Sequence, residues 1–393
     1  MQELPAIEGG KPIRSNPLRY KPWITDDDIK LVIDTLKSGQ LSAIGGKWNT
    51  ALEQGLTKYL GTGHAITVSN GTTALHVALK AVGVGPGDEV ITTPFTFAAS
   101  ATTILHSNAI PMFADIDRET LNIDPASIEK TITDRTKAIV VVHLAGYPAE
   151  MDEIMRIAQE RGLYVIEDTA QALGAAYRER KAGSIGHVGT LSFYPTKTIT
   201  TGEGGAVVTN DDEIARRAKL LRNHGETGKY YYELLGYNYR MTEFQAALGY
   251  SQLMRIEEII KRKETFAKVL MEEIQDVEND LIQFPRPKPY IRHAWHLFQL
   301  LLNLEKLRVS RDRVVDALRA EGIEAATVAY PIPLHKEPVI MNMASHGRGC
   351  PWSCPYYGKK VSYGPLPNAE WAAERVVTIL LGPLYTTEDA VDT

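Results

Sequence analysis

Between about residues 64 and 225, short apolar runs alternate with helical patterns, and this alternation narrows the possible folds more than any other feature of the chain. "HAITVSN" leads into "GTTALHVALKAVGV", "DEVITTP" into "TFAASATTILHSNA", and "KAIVVVHLAG" into "EMDEIMRIAQERG", with "IPMFADI" and "LYVIEDTA" as further strand candidates. "GTLSFYP" and "GEGGAVVTN" read as two more strands, followed by the helix "DDEIARRAKLLRNHG". Apolar runs of this length suit strands buried on both faces, and the intervening helices supply the crossovers a parallel sheet needs. The expectation is an α/β domain with a mostly parallel sheet of seven strands.

From "MTEFQAALGYSQLMRIEEIIKRKETFAKVLMEEI" the pattern becomes one long amphipathic helix, with Phe244, Ala247, Leu248 and Ser251 on one face by three-and-four spacing. This helix carries the chain from a large domain, residues 1–245 with an N-terminal arm, into a smaller α+β domain, residues 246–393. In the latter "AWHLFQLLLN" reads as a strand, "SRDRVVDALRAEGI" as a helix and "NAEWAAERVVTILL" as the last helix. Residues 331–368, rich in Pro, Gly and Tyr, read as a long irregular segment.

Bulk properties exclude several classes. A net charge of −5 without a basic run argues against nucleic acid as a partner. The N-terminus lacks the apolar core of a signal peptide, and no stretch reaches the roughly 18 apolar residues of a membrane span. A cytoplasmic protein is expected. The two cysteines, Cys350 and Cys354, form a CxxxC with no second pair and read as reduced thiols in a loop, and the ten histidines are scattered, so no metal site is expected.

Four features carry chemistry. In "SFYPTKTITTGEGG" a single lysine, Lys197, stands among small, hydroxylic and backbone-permissive residues, a setting that allows close approach by a ligand. Asp168 ends the apolar strand "LYVIED", at the edge of an open α/β sheet where ligands bind, while Glu167 points to the opposite side by strand alternation. "SNGTT" places Gly71 and Thr72 where a strand turns into a helix N-terminus, a seat for phosphate; the plainer alternative is an ordinary turn with Thr72 as N-cap. In "TTPFTFAAS" either Phe95 or Phe97 can cover a flat ring, or both can be core. A lysine, an acidic partner, a phosphate seat and an aromatic face together suit pyridoxal 5′-phosphate, whose aldehyde condenses with a lysine and whose ring nitrogen needs a carboxylate. Competing motifs are incomplete: "GVGPGDE" is not a dinucleotide loop, "GGKW" lacks the P-loop hydroxyl, and "AGSIG" misses the nucleophile elbow.

"SNGTTALHVAL", "GDEVITTPFTFAAS", "VIEDTAQALGA", "GTLSFYPTKTITTGEGGAVVTND", "LRNHG", "GYNYRMTEFQAALG" and "YPIPLHKEP" occur in the order and spacing of the DegT/DnrJ/EryC1/StrS family, and the resemblance covers nearly the whole chain. It implies a fold-type I pyridoxal-phosphate aminotransferase that passes an amino group from an amino acid, glutamate first, to a nucleotide-linked keto-sugar by a ping-pong cycle. It implies that Lys197 carries the cofactor and shuttles the proton, Asp168 pairs with the ring nitrogen, Gln171 reaches the phenolic oxygen and Phe97 stacks on the ring. Gly71, Thr72 and Ser192 would hold the phosphate, joined by Asn238 from the other subunit of a homodimer. His335, Arg222 and His224 are candidates for the sugar site. Family members with histidine at the lysine position act as dehydratases, so Lys197 indicates transamination. A keto-cyclitol acceptor is the alternative within the family. A cysteine desulfurase, which usually has histidine where Thr196 stands, and a non-catalytic regulator are the rivals outside it. The family's Cys-Pro stands close before the final Pro-x-Ala-Glu; here Cys354 lies farther upstream, which implies either an insertion at the substrate mouth or an unrelated loop.

Overall fold

The computed structural model describes residues 4–276, 281–343 and 345–393. Its central sheet has seven strands in the spatial order His64–Val68, Gly205–Thr209, Val188–Ser192, Tyr164–Asp168, Thr136–Val142, Glu89–Thr92 and Ile110–Phe113. Only Gly205–Thr209 runs antiparallel to its neighbours. Register places Val142, Asp168 and Thr190 side by side, so the carboxyl ends of three parallel strands share one edge.

Helices cover both faces because the strands are apolar on both. Gly71–Ala81 and Asp212–Arg222 bury Ala74, Val77, Ala78, Ile214, Ala215 and Ala218 against one face. Met151–Arg161 packs Ile154, Ile157 and Ala158 against the other. Asn70 caps the first of these helices in a reciprocal box with Thr73, so the N-cap is Asn70 and Thr72 lies inside the first turn.

Two elements differ from their sequence reading. The single long helix is two, Glu243–Met254 and Ile256–Glu273, separated at Arg255. The Arg255 guanidinium is held by Asp28 and by the Trp23 carbonyl, contacts more than two hundred residues away in sequence. The face expected to be apolar is only partly so: Ala247 and Ser251 are buried, whereas Phe244 and Leu248 are half-buried. The expected last helix "NAEWAAERVVTILL" is a helix over Pro367–Arg375 and then a strand over Val376–Leu380. The β-branched run Val376-Val377-Thr378-Ile379 pairs antiparallel with Leu297–Leu302 and Ala326–Thr327, and burial in that small sheet overrides helical continuity. A short helix, Thr387–Val391, follows.

The helix Ile256–Glu273 links two cores. Ile256, Ile259 and Ile260 pack with Leu52, Leu56 and Leu173, whereas Phe266, Ala267 and Leu270 pack with Phe298, Val377 and Ile379 of the small sheet. The irregular segment after residue 341 is anchored to the sheet's Ile110–Phe113 edge. Tyr357 Oη donates to Glu89 Oε1 at 2.6 Å, Tyr363 Oη to the Pro111 carbonyl at 2.9 Å, and Trp352 is buried among Ala101, Leu105 and Phe113.

Candidate active site

A cavity of about 870 Å³ opens at the carboxyl edge of the large sheet, and its wall includes Gly71, Thr72, Phe97, Asp168, Gln171, Ser192 and Lys197. Seven of the sequence candidates therefore meet in one place. Chain stretches far beyond them complete it: His296, Leu297, Thr327, Tyr330, Thr378 and Leu380 come from the small sheet and its connections, and His76, His106 and Tyr239 line it as well.

Asp168 and Glu167 are adjacent, buried and opposite in character. Glu167 accepts from His143 Nε2 at 2.8 Å and from the amides of Gly183, Ile185 and Gly186 at 2.8, 2.6 and 2.6 Å. Although burial pushes upward, these bonds together hold its pKa below the usual carboxylate value. It is a structural anchor facing away from the cavity, as strand alternation requires. Among the described residues Asp168 accepts from Ser100 Oγ at 2.9 Å and the Ala170 amide at 3.2 Å, and burial leaves its pKa raised despite the nearby Lys197. A carboxylate buried on a cavity wall without a full cationic partner is suited to a cationic ring nitrogen.

Lys197 is half-buried, and loss of hydration lowers its amine to about 8, Asp168 opposing the shift. Its Nζ lies 3.4 Å from His296 Nε2, and the lowered pKa leaves roughly a tenth of the amine unprotonated at pH 7, far more than for an ordinary lysine. The turn at Gly71 is equally defined. A Cβ on Gly71 would stand 2.7 Å from Ser192 Cβ and 2.9 Å from its Oγ, so the serine hydroxyl adjoins the helix N-terminus only because residue 71 has no side chain. The amides of the first helical turn have no intrahelical acceptor, and Asn70 takes that of Thr73, leaving those of Gly71 and Thr72 for an anion. These residues fit the phosphate, the ring nitrogen and the aldehyde of pyridoxal phosphate.

Gln171 is fixed by accepting from the Ala145 amide at 2.7 Å and donating to Tyr330 Oη at 2.8 Å. Of the two phenylalanines, Phe95 is fully buried, edge-on to Tyr330, whereas Phe97 is 63% exposed on the cavity wall.

Other candidates lie elsewhere. Arg222 is not on the cavity wall; its guanidinium is taken by Glu53 Oε1 at 2.6 Å and the Thr67 carbonyl at 3.1 Å. His335 is buried and bonded to Glu370 Oε1 at 3.1 Å, which leaves its ring engaged away from the wall. His224 is exposed with φ of 56°, and Asn238 is exposed and bridged to Asn223; neither lines this chain's cavity. Cys350 and Cys354 are free thiols in a turn outside it, and none of the described residues in 341–364 contributes to this chain's cavity wall.

His296, Tyr330 and Lys263 were not singled out from the sequence. Lys263 does carry a signal: it falls in the three-and-four series Ile256, Ile259, Ile260, Lys263, Phe266, Ala267 and Leu270, a core position in an otherwise charged run.

A mostly parallel sheet with a lysine, a buried carboxylate and a glycine-opened helix N-terminus on its carboxyl edge suits a pyridoxal-phosphate enzyme. The chain belongs to the DegT/DnrJ/EryC1/StrS aminotransferase family, whose model matches residues 22–392. It is 38% identical to the spore coat polysaccharide biosynthesis protein SpsC of Bacillus subtilis, with 96% of each chain covered. It is 39% identical to GDP-perosamine synthase of Caulobacter vibrioides over 82% of this chain and 86% of that one. Among solved structures it superimposes on an aminotransferase from Psychrobacter cryohalolentis with a TM-score of 0.87 and 33% identity, over 96% of this chain and 97% of the other.

Proposed function

We propose that this aminotransferase takes an amino group from L-glutamate and passes it to a keto-sugar carried on a nucleotide. The observation that carries the reading is the half-buried Lys197, lowered to about 8, on the same wall as the under-compensated Asp168 and the seat at Gly71 and Ser192. The 39% identity to a GDP-perosamine synthase supports a nucleotide-linked acceptor. A cavity of about 870 Å³ leaves room for a sugar beside the cofactor.

Pyridoxal phosphate, when bound, supplies an electron sink for the carbanion formed at the amino-bearing carbon. The chain supplies the rest. The Gly71 and Thr72 amides and the Ser192 hydroxyl would hold the phosphate; Asp168 would keep a proton on the ring nitrogen; Gln171, held by Ala145 and Tyr330, would offer its remaining N–H to the ring's oxygen; Phe97 would cover the ring. Lys197 Nζ is the amine that would hold the aldehyde and, when free, would carry the proton. A homodimer in which Asn238 reaches the partner's phosphate is part of the same reading, supported by the exposed Tyr230, Tyr231, Tyr232 and Leu235 beside it.

The test is spectroscopic. The purified protein should show the absorption of lysine-bound cofactor, L-glutamate should bleach it, and a nucleotide-linked keto-sugar should restore it. Failure to bind cofactor would end the reading; restoration by a keto-cyclitol alone would move it to the alternative acceptor. Light scattering of the native protein checks the dimer.

A further inference from the structure

Lys197 stands at the end of a tight turn. Its amide donates to the Tyr194 carbonyl at 2.9 Å, so residues 194–197 form a β-turn with Pro195 and Thr196 at its centre. The base of this loop is pinned to the large sheet: the Phe193 amide donates to the Gly204 carbonyl at 2.8 Å, and the Thr201 amide to the Phe193 carbonyl at 2.9 Å. The tip is held by groups from other parts of the chain. Half-buried Tyr20 donates through Oη to the Pro195 carbonyl at 2.8 Å, and the His296 ring bonds to the Thr196 backbone.

The Pro195 carbonyl belongs to the central peptide of that turn. Type I and type II turns differ chiefly in which way this peptide faces, and any tilt of it carries the following residue along. Proline in the first central position suits either type, but Thr196 avoids positive φ, as a β-branched residue does, and this excludes the full flip to type II. The local sequence leaves the tilt free, and Tyr20 fixes it by holding the oxygen. Tyr20 is itself secured on both sides. Before it, Leu18 is buried in the small-domain core, its amide donating to the Gly322 carbonyl at 2.7 Å and its carbonyl accepting from the Ala325 amide at 2.9 Å. After it, the Trp23 carbonyl accepts from Gln252 Nε2 at 3.0 Å and Arg255 Nη2 at 2.9 Å. Burial pushes the Tyr20 phenol well above its ordinary value, so the hydroxyl keeps the proton it donates.

We propose that Tyr20 is a positioning residue for the reacting amine: by holding the Pro195 carbonyl it fixes the central peptide of the lysine turn, and with it the direction in which Lys197 enters the cavity. The N-terminal arm then reaches the reaction through a single hydroxyl. A small misplacement of the amine slows its attack on an aldehyde without altering its basicity. This rests on Lys197 being the amine that binds the cofactor.

The experiment measures how fast the cofactor-free protein condenses with pyridoxal phosphate, trapped by cyanoborohydride, as a function of pH in the native protein, Tyr20→Phe and Arg14→Ala. Phenylalanine removes the hydroxyl alone; R14A frees the arm from Asp389 and Asp392 but leaves the hydroxyl in place. Rates are taken per trapped site, so unfolded molecules do not count. On the high-pH plateau the Y20F protein should react roughly two- to tenfold more slowly, the size of one lost hydrogen bond, with its pH midpoint unmoved. The same loss should appear with pyridoxal, which has the aldehyde but no phosphate, and R14A should keep the native rate. A native plateau rate in Y20F would overturn the proposal. So would an equal loss in R14A, which would assign the effect to the arm as a whole, or a loss confined to pyridoxal phosphate, which would place it at the phosphate. A Y20F midpoint moved toward that of an ordinary lysine would also overturn it, since the turn would then have opened to water. Failure of the native protein to trap the cofactor on Lys197 would instead remove the functional reading beneath it.

Discussion

Gly71→Ala isolates the phosphate seat. The new Cβ would meet Ser192 Cβ at 2.7 Å, Oγ at 2.9 Å and Cα at 3.4 Å, where carbon atoms normally rest about 3.5–4.0 Å apart. The Val188–Ser192 strand is held on both sides by the sheet, so the helix end and the serine must separate by most of an ångström. Overpacking of this kind costs about 1–3 kcal/mol, and alanine's better helix propensity returns up to about 1 kcal/mol. The cofactor-free protein should therefore melt within a few degrees of native. Binding is affected differently, because a shift of that size misaligns the amides and hydroxyl around the phosphate. Losing one charge-assisted hydrogen bond, about 1.5–3 kcal/mol, weakens pyridoxal phosphate by roughly ten- to a hundredfold. The assay is a spectroscopic titration of the cofactor-free protein, run in parallel with pyridoxal, which has the aldehyde but no phosphate. The penalty should appear for the phosphate ester and largely vanish for pyridoxal. Adding Ser192→Gly to remove the clashing Cβ should recover part of the loss. Equal weakening of both ligands, or unchanged affinity for pyridoxal phosphate in a folded variant, would refute the assignment of the phosphate to this corner.

The remaining predictions concern the lysine and the paired carboxylates. The condensation rate of the native cofactor-free protein should rise with pH to a plateau, with its midpoint near 8 rather than 10.5, because burial favours the neutral amine; a rate still climbing steeply above pH 9 would contradict this. Asp168→Asn should still bind cofactor but lose transamination by on the order of 10²-fold or more, the effect of removing an electrostatic partner to developing charge, as read in single-turnover bleaching with glutamate. Glu167→Gln should leave the cavity chemistry intact in the molecules that fold, yet destabilise the cofactor-free protein by about 3–5 kcal/mol in urea, since the amide cannot replace a carboxylate accepting from three backbone N–H groups and His143. Because the Glu167 pKa is lowered on folding, its contribution is complete above the ordinary carboxylate range and disappears as pH falls through the depressed value, so native and E167Q stabilities should converge in acid.

The half of the site built on the large sheet was legible because local pattern and function coincide there: each βα turn ends a buried strand, and its last residue stands at the ligand edge. Asp168 and the Gly71 turn could be placed from such runs alone, Ser192 entered through the family resemblance, and alternation correctly sent Glu167 to the other side. The half contributed beyond residue 255 was not, since it depends on contacts with no local signature. The helix break at Arg255 comes from Asp28 and Trp23, and Val376–Leu380 becomes a strand only because Leu297–Leu302 lies ready to pair with it. Arg222 and His335 mislead for the same reason: a cation or imidazole in a motif near the site is indistinguishable in sequence from one committed to Glu53 or Glu370. Lys263 is the sharpest case. Within "KRK" it reads as one of three solvated charges, yet Lys261 and Arg262 are exposed while Lys263 is fully buried. Only the helical spacing of the isoleucines before it and the Phe266 after it marks the position as interior. Burying an amine there costs hydration that no partner restores, and that loss together with the Lys197 charge lowers Lys263 to about 7, a consequence of the fold that the run of charges in the sequence conceals.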